Sequence, residues 1–161
     1  MIRKANISDL EKITALARIV ANELHASGID QWSNTYPALA NFRFDLDKDG
    51  LFIYEEDGIL IGSITILPEN DPFYKELVWT GKNAHVVHRL MVEPGSRRKQ
   101  IGRQLFQYAL EIARTRFADS VKVDTHPDNY RMQSLILSLG FTEIGYIRGM
   151  NRIGYELILK T

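Results

Sequence analysis

Cysteine is absent from this 161-residue chain, which rules out a disulfide framework, thiolate metal ligands and a cysteine nucleophile. Any chemistry must come from oxygen and nitrogen groups. An excess of one charge is also lacking: 20 Lys and Arg stand against 20 Asp and Glu, so nothing draws the whole molecule to nucleic acid or to an anionic membrane. No apolar run approaches membrane-spanning length, and the N-terminal MIRKANISDLEKI lacks the apolar stretch of a signal peptide. The expectation is a soluble cytoplasmic protein with no nucleic-acid or membrane partner. Internal repeats, low-complexity tracts and an evident linker are missing too. With 45% hydrophobic and 25% charged residues the chain suffices for one sizeable core, and a single domain over residues 1–161 is expected.

What is present reads as alternating elements. MIRKA is a short strand candidate, and Ser8 with Glu11 predicts a capping box. Leu10, Ile13, Leu16, Ala17, Val20 and Leu24 follow at helical spacing, and that helix should stop near Ser27-Gly28. The polar and aromatic segment from Gly28 to Gly50 has room for a second short helix. LFIYEEDGILIGSITILPE predicts a hairpin, because two β-branched and aromatic runs flank Asp57-Gly58, a pair suited to a tight turn. PFYKELVWTGKN is ambiguous. AHVVHRLMV reads as a strand ending before Pro94, a helix runs from about Ile101 to Phe117, and SVKVDT is a further strand. Pro127-Asp128-Asn129 opens another helix, which Gly140 ends, and two last strands flank the dipeptide MN. The order implies an α/β fold on a mixed sheet.

One segment stands out against the neutral background. Arg97, Arg98, Lys99 and Arg103 crowd the point where a strand hands over to a helix. The first N–H groups of such a helix have no intrahelical acceptor, and they share the positive end of the macrodipole. Cations there oppose the dipole unless a negative partner joins them. The first backbone amides of the helix, approached closely at Gly102, together with the cationic side chains suit a diphosphate. A solvated basic turn is the plainer alternative.

HRLMVEPGSRRKQIGRQLFQYAL resembles the acetyl-CoA-binding signature of the GNAT superfamily of N-acetyltransferases, a strand followed by Arg-x-x-Gly-x-Gly/Ala at a helix start. DNYRMQSLILSLGF is similar to that superfamily's next motif, Asn-x-x-Ala-x-x-Leu-Tyr-x-x-x-Gly-Phe. The element order matches over nearly the whole chain. The resemblance implies a single-domain GNAT-like fold: a twisted, mixed, mostly antiparallel sheet flanked by helices, with a splayed opening between the two central strands. It implies acetyl-CoA as cofactor, with the main chain of Leu90, Met91 and Val92 pairing with the pantetheine arm. The amides of Arg98 to Arg103 would hold the pyrophosphate, Arg97 would stand in the motif's arginine place, and Asn129 would contact the cofactor. Two departures are visible. Gln100 replaces the first motif glycine, and Ile136 stands where a tyrosine usually protonates the leaving thiolate. Gln133, one turn earlier, could offer a hydrogen bond, and water could protonate the thiolate; the acid is unassigned.

Amine attack on a thioester needs a neutral amine, a donor for the developing oxyanion and an exit for the proton. His88 is the candidate base: histidine titrates near neutrality, and regular strand alternation puts it on the face of Leu90 and Val92. A packed histidine bonded to a carbonyl is the alternative. By the resemblance, the segment carrying His25, Gln31, Trp32 and Tyr36 forms part of the acceptor wall, and Trp32 and Tyr36 either bind substrate or cover the core. The expected activity is acetyl transfer to the primary amine of a small molecule or peptide by direct attack, with no metal. The reading leaves room for a homodimer, and a non-catalytic acyl-CoA-binding or regulatory domain is the alternative.

Overall fold

The structure, a computed structural model, describes residues 1–68 and 70–160; the side chain of Arg98 lies outside the described set. The elements run β1 (Ile2–Lys4), α1 (Leu10–Ala26), α2 (Leu39–Asp47), β2 (Leu51–Glu56), β3 (Ile59–Leu67), β4 (Ala84–Val92), α3 (Ile101–Thr115), β5 (Ser120–Thr125), α4 (Tyr130–Ser138), β6 (Thr142–Ile147) and β7 (Arg152–Ile158). Strand order is β1-β2-β3-β4-β5-β7-β6. β4 and β5 are parallel, whereas β1–β2, β2–β3, β5–β7 and β6–β7 are antiparallel. This is the mixed, mostly antiparallel α/β arrangement that the sequence implies.

Two compact units divide the chain, Met1–Leu67 with His88–Ala109 and Pro68–Val87 with Leu110–Thr161. In the first unit, the apolar stripe of α1 buries Ile13, Leu16, Ala17 and Val20 against Phe42 of α2, Leu51 and Ile53 of β2 and Met91 of β4. The β2–β3 hairpin turns through Asp57 and Gly58, both left-handed (φ 52° and 79°), the conformation that matches strand twist in a two-residue connection. α3 comes close to β3 at Gly62, where a Cβ would lie 2.9 Å from Leu105 Cδ1 and 3.1 Å from Met91 O. Ile101, Leu105, Phe106 and Ala109 of α3 are fully buried.

The start of α1 differs from expectation. A 3-10 turn, Ile7–Asp9, precedes the helix, and the reaching-back carboxylate is that of Asp9, which accepts from Asn6 N–H at 2.8 Å. Residues 6–9 offer the same polar-x-x-acid spacing as Ser8 to Glu11, and Arg3 decides between them. Its guanidinium grips both Asp9 oxygens at 2.9 and 3.0 Å.

In the second unit, β4 pairs with β5 through Ala84–Ser120, His85–Val121 and Val86–Lys122, and the ladder ends there, before the end of either strand. Tyr74, Val86 and Ile147 form a small core with Leu77, Trp79 and Met150 around them. The ambiguous segment is a 3-10 turn, Pro72–Glu76, followed by a loop. Carboxylates hold that loop by its backbone. Glu156 accepts from Thr80 and Gly81 N–H, Asp119 from Lys82 and Asn83 N–H, all within 2.8–3.1 Å. Backbone donors satisfied this way are not offered to a neighbouring strand.

Candidate functional site

Within the first unit, β4 leaves the sheet at Val92 and re-enters order as a 3-10 turn, Pro94–Lys99. Glu93 builds the turn. Its N–H donates to Ile61 O at 2.8 Å, while its carboxylate accepts from Gly95 N–H at 3.0 Å and the Ser96 hydroxyl at 2.9 Å. These bonds, the Gly95 amide above all, hold Glu93 below the usual carboxylate range. Gln100 follows in the left-handed region (φ 62°, ψ 26°). The Gln104 N–H donates to Gln100 O at 3.0 Å as the first bond of α3, so the amides that begin with Ile101 precede any acceptor of their own helix.

The cations are tempered by acids. Arg97 donates through Nη1 to the carboxylate of Glu23 in α1 and through Nη2 to Val92 O at 3.3 Å. Lys99 Nζ lies 3.2 Å from Glu56, with both side chains well exposed. Arg103 and Gly102 are half-buried in the first turn of α3. The expected Arg98 contribution lies outside the described residues as far as its side chain is concerned. Arg97 therefore ties the turn to α1 and to the end of β4, a tie that motif spacing does not reveal.

On β4, His88 and Leu90 are half-buried and Met91 and Val92 buried. Between His88 and Leu90, Arg89 is left-handed (φ 52°). Strand alternation is interrupted there, so a shared face for His88, Leu90 and Val92 does not follow from spacing. The Arg89 side chain turns to α2, where Nη1 donates to both oxygens of Asp45 at 3.0 and 2.9 Å. Asp45 is fully buried and also accepts from the Thr65 hydroxyl at 2.7 Å. The guanidinium carbon lies 5.7 Å from the centre of the Tyr36 ring. Tyr36 itself is 43% exposed, whereas Trp32 packs on the core around α1. The sequence reading missed Arg89, Asp45 and Thr65. A signal existed, since Phe42 and Asp45 lie three residues apart on α2 and both are buried.

The second unit carries the remaining candidates. Asn129 caps α4, its Oδ1 accepting from Met132 N–H at 3.2 Å. Gln133 donates through Nε2 to Pro127 O at 2.7 Å and His126 O at 3.2 Å, which engages its amide in the turn. Ile136 is fully buried, Tyr130 exposed. His126 Nδ1 accepts from Asp128 N–H at 3.0 Å, the structural role the Thr-His-Pro-Asp turn suggests. A buried pair lies elsewhere in this unit: Tyr74 donates its hydroxyl to Asp124 Oδ2 at 2.5 Å, and Arg152 Nε sits 4.0 Å from Oδ1. Burial pushes the Asp124 carboxyl up, partly offset by the Tyr74 hydroxyl and Arg152. Burial pushes the Tyr74 phenol up as well.

A strand, a basic turn and a helix start follow one another here, and comparison with known proteins gives the class. The profile of the acetyltransferase (GNAT) family matches residues 17–141, and this chain belongs to that family. It is an N-acetyltransferase by class, in a family that draws its acetyl group from acetyl-CoA. The chain is similar to a Staphylococcus aureus Mu50 protein taken to be an acetyltransferase, with 28% identity, 99% of each chain covered and a TM-score of 0.77. A GNAT-family acetyltransferase from Streptococcus agalactiae 2603 shares the fold at a TM-score of 0.87, with 21% identity over 100% of this chain and 96% of that one. A Salmonella typhimurium protein, also taken to be an acetyltransferase and solved with acetyl-CoA, shares it at 0.74, with 19% identity over 100% and 94%. No curated protein sequence matches the chain. Among the described residues no helix is long and apolar enough to cross a membrane.

Proposed function

We propose that this protein transfers the acetyl group of acetyl-CoA to the primary amine of a small molecule or peptide by direct attack of the amine. The observation that carries the reading is the left-handed Gln100 between a Glu93-built turn and the first amides of α3. That corner fits a diphosphate. It supplies N–H donors at the positive end of a helix, beside Lys99 and Arg103. Lys99 gives up little in leaving Glu56 for a phosphate, because an exposed ion pair contributes at most about 1 kcal/mol.

Acetyl-CoA, when bound, supplies an activated acyl group and a thiolate leaving group. The chain's own residues do the rest. The main chain of Leu90, Met91 and Val92 holds the arm and offers an N–H to the oxygen on which charge develops. His88 takes the proton that the amine must lose, and Trp32 and Tyr36 line the acceptor side. No side chain is assigned as the acid for the leaving sulfur; water protonates it, as ordinary thiol basicity allows.

The test is release of free CoA, followed with a thiol reagent, across a panel of amines, polyamines, amino acids and peptides. At least one acceptor is expected to raise release well above hydrolysis. Tight acetyl-CoA binding with no release on any acceptor would instead indicate a binding domain.

A further inference from the structure

Among the described residues, six other than glycine have positive φ: Asp49, Asp57, Arg89, Gln100, Phe117 and Asn151. Only Arg89 lies inside a strand; the others sit in turns or at helix ends. A left-handed arginine in a strand is unfavourable in itself, and it persists only where the surroundings over-determine it. The surroundings here are a buried ion pair. Asp45 is fully buried on α2 and fixed by the Thr65 hydroxyl of β3, and a single nitrogen of Arg89 donates to both of its carboxylate oxygens. Tyr36 covers the guanidinium. The Arg89 Nε is buried without a partner among the described residues. A pair chosen for hydrogen bonding alone would use the guanidinium fork on the carboxylate. This one uses one prong and leaves another buried donor unmet, which is the geometry of a side chain placed to hold its backbone.

We infer that Arg89 is a positioning residue: anchored on Asp45 and covered by Tyr36, it holds the left-handed kink that sets the path of Leu90–Val92 beside His88. This rests on the proposed function, in which that stretch of main chain carries the thioester. The kink ties three elements of the first unit together. α2 and β3 contribute the anchor, the segment before α2 contributes the cover, and β4 carries the consequence. An error of about 1 Å in such a frame is enough to cost a hundredfold in rate.

Glycine separates the anchor from the kink, because it adopts positive φ without help. The experiment compares four folded proteins, wild type, Asp45→Asn, Asp45→Asn with Arg89→Gly, and Asp45→Asn with Arg89→Ala, by calorimetric titration with acetyl-CoA below the onset of unfolding. Asp45→Asn is expected to weaken binding by about tenfold. The glycine double variant should recover most of that loss and the alanine double variant none of it, although both lack the ion pair equally. Equal affinities in the two double variants, or wild-type affinity in Asp45→Asn, would overturn the inference. Where Asp45→Asn fails to fold, Arg89→Gly against Arg89→Ala in the native background must give the same ordering. No acetyl-CoA binding by the wild type would overturn the proposed function instead. Backbone chemical shifts of residues 88–92 across the same proteins then decide the anchoring, and shifts identical in all of them would overturn it.

Discussion

Arg97, in the turn after β4, donates to the carboxylate of Glu23 in α1, and with its second terminal nitrogen to the Val92 carbonyl at 3.3 Å. An arginine standing in a phosphate-binding motif is thus committed to protein partners. Both side chains are partly buried, at 20% and 32% exposure, so the pair is worth more than a surface one and acts through the position of the turn.

Arg97→Ala and Glu23→Ala should therefore weaken acetyl-CoA by similar factors, roughly threefold to tenfold, and the double variant should lose little more than either single one. Titration of the three variants checks this. A large loss in Arg97→Ala beside an unaffected Glu23→Ala would mean that Arg97 turns to the phosphates directly.

Gln100 occupies a conformation that glycine adopts freely, and a family motif with glycine at this position has the physical reason in view. Gln100→Gly should leave the protein as stable as before or up to about 1 kcal/mol more stable, the relief at a left-handed site being offset by a looser unfolded chain. Gln100→Val should destabilise it, since a β-branched residue tolerates positive φ poorly. Urea unfolding of both variants gives the answer, and a stable valine variant would contradict the backbone assignment.

His88→Gln should lower turnover by roughly a hundredfold near neutral pH with acetyl-CoA affinity almost unchanged, the size expected for loss of a general base. Part of the rate should return as pH rises, because more of the amine is then already neutral. A wild-type rate and pH profile in the variant would remove His88 from the mechanism.

Asp124 gives a pH dependence of definite sign. Burial holds its folded-state pKa above the ordinary carboxylate value, so between the two values the folded protein binds more protons than the unfolded one. Stability from this group is fully present below the unfolded pKa and declines as pH rises through the folded pKa. Asp124→Asn keeps an acceptor for the Tyr74 hydroxyl and abolishes that decline. The stability of the variant relative to wild type should thus rise with pH across this window, measured by urea unfolding at a series of pH values. A difference independent of pH would show that Asp124 does not titrate abnormally.

The elements with strong local signals were legible in the sequence. Asp57-Gly58 marks the hairpin, Gly28 (φ 78°) closes α1, and β4 and β5 span the segments their residues suggest. The first helix start was misplaced because two overlapping boxes share one spacing, and only the distant Arg3 chooses between them. The corner where β4 hands over to α3 was legible as a turn followed by a helix start, since turn chemistry and helix ends are local. The site was not legible where side chains from separate elements meet. Nothing near Arg89 in sequence reveals Asp45, forty-four positions away by the contact itself, or the left-handed Arg89 that interrupts strand alternation beside His88. Glu23 on Arg97 was hidden in the same way.

Gly62 leaves no room between β3 and α3: any larger residue there would push on Leu105 and on the Met91 carbonyl. The first two turns of α3 are consequently registered against β3. Substitutions at 62, 101 or 105 are therefore expected to reach the start of α3 through the packing beneath it, whereas exposed positions farther along the helix leave that register alone.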